Sequence, residues 1–125
     1  MARELVRTEL APAFPLYSQA VKAAGLVFVS GQGPYDPVTG SVRGRTIQEQ
    51  TRQCLSNVSA ILQAAGSSLE KVVSATFVLA EDTDFAGMNE EWVKWFHTDP
   101  PARQGAKLPV RPRDIKISVA VIAEA

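Results

Sequence analysis

Two short apolar segments near the N-terminus are separated by a dipeptide that favours a tight turn. Gln19–Ala23 and Leu26–Ser30 are rich in apolar and β-branched residues, and Ala24 and Gly25 lie between them. Because a two-residue connection that contains glycine is typical of β-hairpins, we predict two paired antiparallel strands. Leu5–Glu9 alternates more weakly and predicts an edge strand, which the prolines that follow it terminate.

The next apolar periodicity predicts a long helix. Thr46 and Glu49 have the spacing of a capping box, in which each side chain accepts a hydrogen bond from a free amide at the helix start. Gly66 suits a left-handed C-terminal stop. Residues at spacings of three and four should form one stripe that packs on a sheet, namely Ile47, Thr51, Cys54, Val58, Ile61, Leu62 and Ala65.

The strongest β-strand signal is Val72–Ala80, whose β-branched and apolar residues predict a strand in the middle of the sheet, buried on both sides. A second helix is predicted to begin near Asp82 or Asp84, because carboxylates suit the positive end of a helix. Pro100 and Pro101 should end it. Its inward-facing side chains are expected to be Phe85, Met88, Trp92, Trp95 and Phe96.

The C-terminal part predicts an extended stretch over Arg103–Val110, a turn over Arg111–Asp114 and a final strand over Ile115–Ala123. The order of elements indicates a single α+β domain over residues 1–125, with two helices on one face of a mixed or largely antiparallel sheet. One helical layer leaves the other sheet face uncovered. The final strand has apolar residues on both faces, so we predict that a neighbouring subunit covers the open one.

Composition narrows the possible partners. The chain has 125 residues, 46% of them hydrophobic, and 13 Lys+Arg balance 13 Asp+Glu. Zero net charge argues against nucleic-acid and anionic-membrane partners. The only cysteine, Cys54, excludes an intrachain disulfide framework and fits a reducing compartment. With a charged N-terminus and no long apolar segment, we predict a soluble cytoplasmic protein.

Familiar catalytic motifs are missing from the sequence. It contains no Walker-type phosphate loop, no GxGxxG, no HExxH and no GxSxG, which argues against nucleotide and zinc enzymes. His97 is the only histidine, so one chain cannot build a histidine-clustered metal site, and a helix C-terminal cation is the favoured interpretation. Cys54 lies in the apolar stripe of the first helix and is interpreted as an inert buried thiol.

Arg103 is the candidate that stands out, because it follows Pro100, Pro101 and Ala102. A guanidinium just behind a proline-stiffened turn can hold a carboxylate with two parallel hydrogen bonds. Two other interpretations remain open from the residues alone. Arg103 can be a surface arginine at a strand start, or it can pair with a distant acid such as Asp84 or Glu90.

Three further features are weaker candidates. Tyr17 offers a phenol that could donate to a substrate, although a half-buried tyrosine is the commoner case. Ser30 and Gly31 could present a hydroxyl and backbone amides to an anion, or could simply end a strand. Trp92, Trp95 and Phe96 could form an aromatic ligand box, but their helical spacing favours a role in the core or an interface.

Several segments together resemble one protein family over nearly the whole chain, from Pro12 to Ala123. They identify the chain as a member of the Rid (YjgF/RidA-like) family, also named endoribonuclease L-PSP. The matching segments are Pro15–Lys22, Phe28–Gln32, Asp36–Gly40, Glu49–Thr51, Ala64–Leu69, Asp84–Glu90 and Pro101–Arg103.

The resemblance implies a chorismate-mutase-like fold, with about six strands in a mixed sheet and two helices on one face, assembled as a homotrimer with ligand pockets between subunits. It also implies hydrolysis of small 2-imino or 2-enamino acids to 2-keto acids and ammonia, without metal or organic cofactor. In this sequence the implied carboxylate anchor is Arg103. The positions implied to line the cavity are Tyr17, Ser30, Gly31 and Asn89, and Tyr17 joins Arg103 as a catalytic candidate.

The chain departs from the family pattern at the implied water-activating glutamate, which falls at Ala120, while a second acidic position falls at Ser118. Gly105 stands where relatives often have threonine, cysteine or alanine. Gly105, Ser118 and Ala120 are still expected to border the substrate, and Gly105 and Ala120 to enlarge the pocket. The alternative is a noncatalytic small-carboxylate-binding or regulatory trimer. Zero net charge and a single histidine disfavour an endoribonuclease.

Overall fold

Six strands form one mixed sheet in the computed structural model, which describes residues 2–107 and 114–125. The strands are β1 (Glu4–Val6), β2 (Ala20–Ala23), β3 (Leu26–Gln32), β4 (Val72–Leu79), β5 (Ala102–Lys107) and β6 (Ile117–Glu124). They lie in the order β1-β2-β3-β6-β4-β5, and each pair is antiparallel except β4 and β5. With the helices α1 (Ile47–Ala64) and α2 (Phe85–Trp95), this confirms the predicted α+β class.

The hairpin of β2 and β3 forms as predicted. Ala24 and Gly25 both have positive φ, 54° and 76°, as the central residues of a type I′ turn require. This turn matches the right-handed twist of the strands it joins, so the register that starts at Ala23 and Leu26 continues to Ala20 and Val29. The predicted N-terminal edge strand is also present but shorter, because β1 ends at Val6.

The signals that predicted α1 act where they were expected. The Thr46 hydroxyl accepts a hydrogen bond from the Glu49 amide, and the Glu49 carboxylate accepts one from the Thr46 amide. Gly66 has a φ of 81°, which fits a glycine that follows a helix C-terminus. The predicted apolar stripe is buried from Ile47 to Ala65, so α1 packs its apolar side on the sheet.

The prediction for β4 needs two corrections. β4 lies between β5 and β6, next to the edge of the sheet, and it is β6 that lies between β3 and β4. Only one face of β4 is buried within the chain, because Ala75, Phe77 and Leu79 face the helices while the residues between them are partly exposed. Hydrophobic composition alone could not separate burial inside the chain from apolar surface on an uncovered face.

The second helix begins beside Asp84, as predicted, but ends earlier than predicted. Asp82–Asp84 form a 3-10 turn, and Asp84 occupies the N-cap of α2 without a side-chain hydrogen bond to the helix. The helix ends at Trp95, before Pro100. Met88, Trp92 and Phe96 are buried as expected, whereas Phe85 is 45% exposed.

The face of the sheet that carries no helix remains partly open. Phe28 is 41% exposed there, and Ser118, Ala120 and Ile122 of β6 are partly exposed. The predicted extended stretch is observed as β5 up to Lys107, and its remainder and most of the predicted turn, residues 108–113, lie outside the described residues. None of the described helices combines the length and apolar composition needed to cross a bilayer.

Candidate functional site

Arg103 lies on the edge strand β5, and its guanidinium packs against aromatic rings. Its Cζ atom is 5.0 Å from the ring centroid of Phe77, 5.1 Å from that of Trp92 and 5.7 Å from that of Phe85. Phe77 belongs to the neighbouring strand β4, whereas Phe85 and Trp92 lie two turns apart on the same side of α2. A cation over an aromatic face gains about 0.5–1 kcal/mol at an exposed site, so the rings hold the charge in place.

One hydrogen bond fixes the orientation of this guanidinium. Nη1 of Arg103 donates to Oδ1 of Asn89 at 2.8 Å. Arginine has five N–H donors, and the other four have no partner among the described residues. The expected alternative of an ion pair with Asp84 or Glu90 is not found within residues 2–107 and 114–125, where Glu90 instead accepts from the Gln48 amide.

Gly105 does not leave open space beside Arg103, which contradicts the expectation that it enlarges the pocket. It pairs with Phe77 in the register of β4 and β5. A Cβ atom added at Gly105 would overlap the Phe77 ring at Cζ and Cε1 and would lie 2.6 Å from Cε2. The ring of Phe77 therefore occupies the volume that a side chain at residue 105 would need.

A shallow depression of about 370 Å³ lies next to this ring. Its apolar lining comes from Phe77, Leu79, Phe85, Gly105 and Ala106, and Asp82 and Lys107 lie at its edge. Nζ of Lys107 is 3.8 Å from Oδ1 of Asp82, and both side chains are largely exposed. We call Arg103, Asn89, Phe77, Phe85 and Trp92 the arginine region.

A second group of predicted site residues meets at a β-bulge. In the ladder of β3 and β6, Val29 pairs with Val121 and Gln32 with Val119, so Ser30 and Gly31 together oppose Ala120 alone. A Cβ atom at Gly31 would lie 3.1 Å from Oγ of Ser118. We call Ser30, Gly31, Ser118 and Ala120 the bulge region.

The Ser30 hydroxyl is already used within the chain. Its Oγ donates to the backbone oxygen of Ser18 at 2.6 Å, which ties β3 to the loop before β2. The oxygen of the Ser30 hydroxyl keeps its capacity to accept, because the hydroxyl is both donor and acceptor. Ala120 pairs with Thr76 on its other side, so hydroxyl groups and no carboxylate flank this position in the described part of the chain.

Tyr17 lies on the loop that Ser30 contacts. Its side chain is 49% exposed, and its ring packs 5.6 Å from that of Phe14. Partial burial, and to a lesser degree the nearby Tyr35, raise the pKa of the Tyr17 phenol, which keeps it protonated and able to donate at neutral pH. Buried Gln19 shapes this loop, since its amide donates to the backbone oxygens of Thr8, Ala11 and Pro12.

The structure separates the predicted site residues into two groups that do not meet in one chain. Ser118 and Ala120 pair with Val78 and Thr76, which point away from the sheet face that Phe77 occupies. The bulge region therefore opens on one face of the sheet and the arginine region on the other. Strands lie about 4.8 Å apart, so the three steps from β3 to β5 separate the bulge and the arginine strand by roughly 14 Å.

Cys54 and His97, the single cysteine and the single histidine of the sequence, differ in exposure. Cys54 is fully buried, and burial raises the pKa of its thiol far above neutral pH, as expected for an inert side chain. His97 is exposed beyond the end of α2, with Nδ1 2.9 Å from the Thr98 hydroxyl. Among residues 2–107 and 114–125 no three His, Cys, Asp or Glu side chains are grouped so that they could hold a metal ion.

Comparison with known proteins places the chain in a family. The endoribonuclease L-PSP family matches residues 8–125. A RutC family protein of Pyrococcus horikoshii is 43% identical over 123 residues, 97% of each chain. The chloroplastic Reactive Intermediate Deaminase A of Arabidopsis thaliana is 40% identical over 122 residues, which are 97% of this chain and 65% of that protein. The crystal structure of yeast Mmf1 matches with a TM-score of 0.92 and 40% identity, covering 98% of both chains.

The chain belongs to the Rid family. This membership confirms the resemblance carried by segments such as Pro15–Lys22 and Pro101–Arg103, and it confirms the fold that the resemblance implied. One Rid relative is named as a chloroplast protein and another as a mitochondrial protein, so the location of members in the cell varies, and a cytoplasmic location for this Rid chain stays a prediction.

The sequence did not reveal the aromatic support of Arg103 in this Rid protein. Phe85, Asn89 and Trp92 are spaced by four and three residues, which places them on one side of a helix, and this signal could have grouped them. Phe77 could not be added from spacing, because its contact with Arg103 depends on the parallel register of β4 and β5.

Proposed function

We propose that this Rid-family protein binds small 2-imino or 2-enamino acids through Arg103 and hydrolyses them to 2-keto acids and ammonia. The observation that carries the proposal is the guanidinium held by three aromatic rings and Asn89, with its remaining N–H groups free among the described residues. A carboxylate can accept two parallel hydrogen bonds from such a group. The name of the Arabidopsis relative, a reactive intermediate deaminase, supports the reaction class.

The chemistry requires orientation more than a strong nucleophile. Arg103 holds the acid end, and a water oxygen adds to the carbon of the protonated C=N bond. A proton then moves from the added water to nitrogen, the C–N bond breaks as the C=O bond forms, and a 2-keto acid and ammonium leave. Tyr17, Ser118 and backbone carbonyls are the groups proposed to hold the water, and proximity supplies much of the rate.

We propose that the complete site forms between subunits of a homotrimer. Within one chain the arginine region and the bulge region open on opposite sheet faces, and the strand of Arg103 lies three strand steps, roughly 14 Å, from that of Ser30, which is too far for one small acid to touch both side chains. A neighbouring chain that covers the open face could bring its own arginine region to the bulge. The partly exposed apolar residues Phe28 and Ile122 support burial of this face.

The activity is tested by supplying 2-iminobutyrate, generated in situ, to the native protein and to Arg103→Ala. The native chain should accelerate formation of 2-ketobutyrate over buffer, and the variant should lose most of this acceleration. Native protein that is no faster than buffer would reject deaminase activity on this substrate. Arg103→Lys serves as the control that keeps the charge but not the planar fork, and an intermediate rate is expected for it.

The assembly is tested by sedimentation and by mixing two defective variants. Arg103→Ala removes the anchor, and Ala120→Phe fills the bulge region. If each site combines two chains, mixed trimers reassembled from both variants contain intact clefts and regain 2-ketobutyrate binding. A protein that sediments as a monomer, or mixed assemblies with no recovered binding, would reject the shared site.

A noncatalytic carboxylate-binding or regulatory trimer is the second candidate function. Ala120 favours it, because the bulge region offers no carboxylate to activate water among the described residues. Calorimetry with 2-ketobutyrate separates the two candidates. Arg103-dependent binding without turnover of 2-iminobutyrate would select the noncatalytic function, whereas binding with turnover would select the deaminase.

A further inference from the structure

Phe14 and Tyr17 close a four-residue turn that carries the Tyr17 phenol. Their backbones form an isolated antiparallel bridge, and Pro15 and Leu16 lie at the tip of the turn. The two rings are 5.6 Å apart, with 31° between their planes. Because Phe14 and Tyr17 pair across one short turn, the position of the Phe14 ring limits where the Tyr17 ring can lie.

The main chain of this turn and its rings are fixed by different contacts. The Ser30 hydroxyl holds the backbone of Ser18, and the Gln19 amide holds the backbone that precedes the turn. These hydrogen bonds leave the orientation of the rings open. The Tyr35 ring meets the Phe14 ring edge to face, with 5.6 Å between the centroids and 67° between the planes. Tyr35 thus links the ring pair to the rest of the chain.

Tyr35 is itself fixed by its backbone and by its ring. Nδ2 of Asn57, a buried side chain of α1, donates to the backbone oxygens of Tyr35 at 3.0 Å and Gly33 at 3.2 Å. The ring lies against Gly33, where an added Cβ atom would be 2.7 Å from Cε2 of Tyr35. Gly33 therefore allows the ring to lie where it does. A path of direct contacts runs from α1 through Tyr35 and Phe14 to Tyr17.

We propose that Tyr35 is a positioning residue for Tyr17, and that it acts through Phe14 by ring packing. This inference rests on the proposed function, in which the Tyr17 phenol is one of the groups that hold the attacking water. A misplacement of about 1 Å in such a group can slow a reaction by about a hundredfold, so ring packing affects the rate without touching the substrate. The Tyr35 hydroxyl takes no part in this role, because the contact with Phe14 is made by the ring.

The rate of 2-iminobutyrate hydrolysis in three variants tests this role. Tyr35→Ala removes the ring and should lower kcat by about tenfold. KM should stay nearly native, because Arg103 still holds the acid. Tyr35→Phe is the matched control, since it keeps the ring without the hydroxyl and should keep a nearly native kcat. Gly33→Ala pushes the Tyr35 ring from its place and should lower kcat as Tyr35→Ala does.

Two further measurements distinguish positioning from a general loss of structure. Tyr17→Phe removes the phenol hydroxyl, so Tyr35→Ala should cause no further loss of kcat in that background, a non-additive result expected of residues that act as a unit. A destabilised fold would instead slow both backgrounds alike. Nuclear Overhauser effects between labelled Phe14 and Tyr17 rings should be present in native protein and in Tyr35→Phe, and should be lost in Tyr35→Ala. Their persistence in Tyr35→Ala would overturn the inference.

The outcomes separate this inference from the proposed function. If native protein is no faster than buffer, the proposed function fails and this inference fails with it. If native protein is active but Tyr35→Ala or Tyr17→Phe keeps the native kcat, only the role of Tyr35 is overturned. The same holds if Tyr35→Phe is as slow as Tyr35→Ala. Should Tyr35→Ala not fold by circular dichroism, Gly33→Ala decides, and a native kcat in that variant overturns the inference.

Discussion

The arginine region and the bulge region differ in how complete each one is within a single chain. In the arginine region a charged group is held by three rings and one hydrogen bond before any ligand arrives. The bulge region offers hydroxyls and a small side chain but no ionisable group among its residues. The guanidinium that we propose as the acid anchor is therefore preorganised within one chain, whereas the proposed proton transfer has no ionisable group in the bulge region to carry it.

Adding a carboxylate to the bulge region is the change that should reduce this difference most. We expect Ala120→Glu to raise the rate of 2-iminobutyrate hydrolysis by about a hundredfold to ten-thousandfold, the usual contribution of a positioned general acid or base. The rate is measured as 2-ketobutyrate formed per active chain. Ala120→Gln is the matched control, because it has the same shape without the charge. Equal rates in both variants would show that the bulge region does not limit the chemistry.

The rigidity of the arginine region depends on how α2 is fixed to α1. Glu91 is 2% exposed on α2 and accepts from Nε and Nη2 of Arg52 on α1, each at 3.3 Å, and from Nε1 of Trp95 at 2.9 Å. Glu91→Ala should lower the free energy of unfolding by about 1–2 kcal/mol, since it removes a buried acceptor and leaves the partly buried indole N–H of Trp95 without a partner. Urea unfolding measures this loss, and Glu90→Ala, which affects only an exposed hydrogen bond, is the control.

The contacts of Glu91 with Arg52 and Trp95 also predict how the free energy of unfolding depends on pH. Burial opposes ionisation, but hydrogen bonds from Arg52 and Trp95 outweigh it and lower the pKa of Glu91 below its ordinary 4.5. The folded state thus binds the proton less readily than the unfolded chain, so this stabilisation is complete above pH 4.5 and is lost as the pH falls through the lower folded pKa. In Glu91→Gln the free energy of unfolding should depend less steeply on pH below pH 4.5, and an unchanged slope in urea unfolding there would contradict this.

Local signals predicted the fold better than they predicted the site. The capping box of Thr46 and Glu49 and the turn at Ala24 and Gly25 depend on neighbouring residues, so both could be identified from the sequence. The collision between Gly105 and Phe77 depends on the pairing of strands 28 residues apart in sequence, and nothing in either segment encodes it alone.

The site residues divide in the same way. Arg103 stands out in the sequence behind Pro100 and Pro101, and the family resemblance implies its role, but its aromatic support depends on the register of β4 and β5 and on the position of α2. The separation of Ser118 and Ala120 from Arg103 also depends on which sheet face each strand position takes. Alternation along one strand predicts which of its residues share a sheet face. Whether residues on two different strands share a face depends on how the strands pair, which the sequence of either strand does not give.

The smallest expected effect distinguishes orientation from charge in the arginine region. Asn89→Ala removes the 2.8 Å hydrogen bond that orients Arg103 and should weaken 2-ketobutyrate binding by about fivefold, which corresponds to about 1 kcal/mol. Asn89→Asp keeps the shape but adds a carboxylate that competes with the ligand for the guanidinium. Calorimetry should therefore show weaker binding for the aspartate than for the alanine variant. If the aspartate variant binds as well as native protein, Asn89 only supports packing, and the free charge of Arg103 is not what recognises the acid.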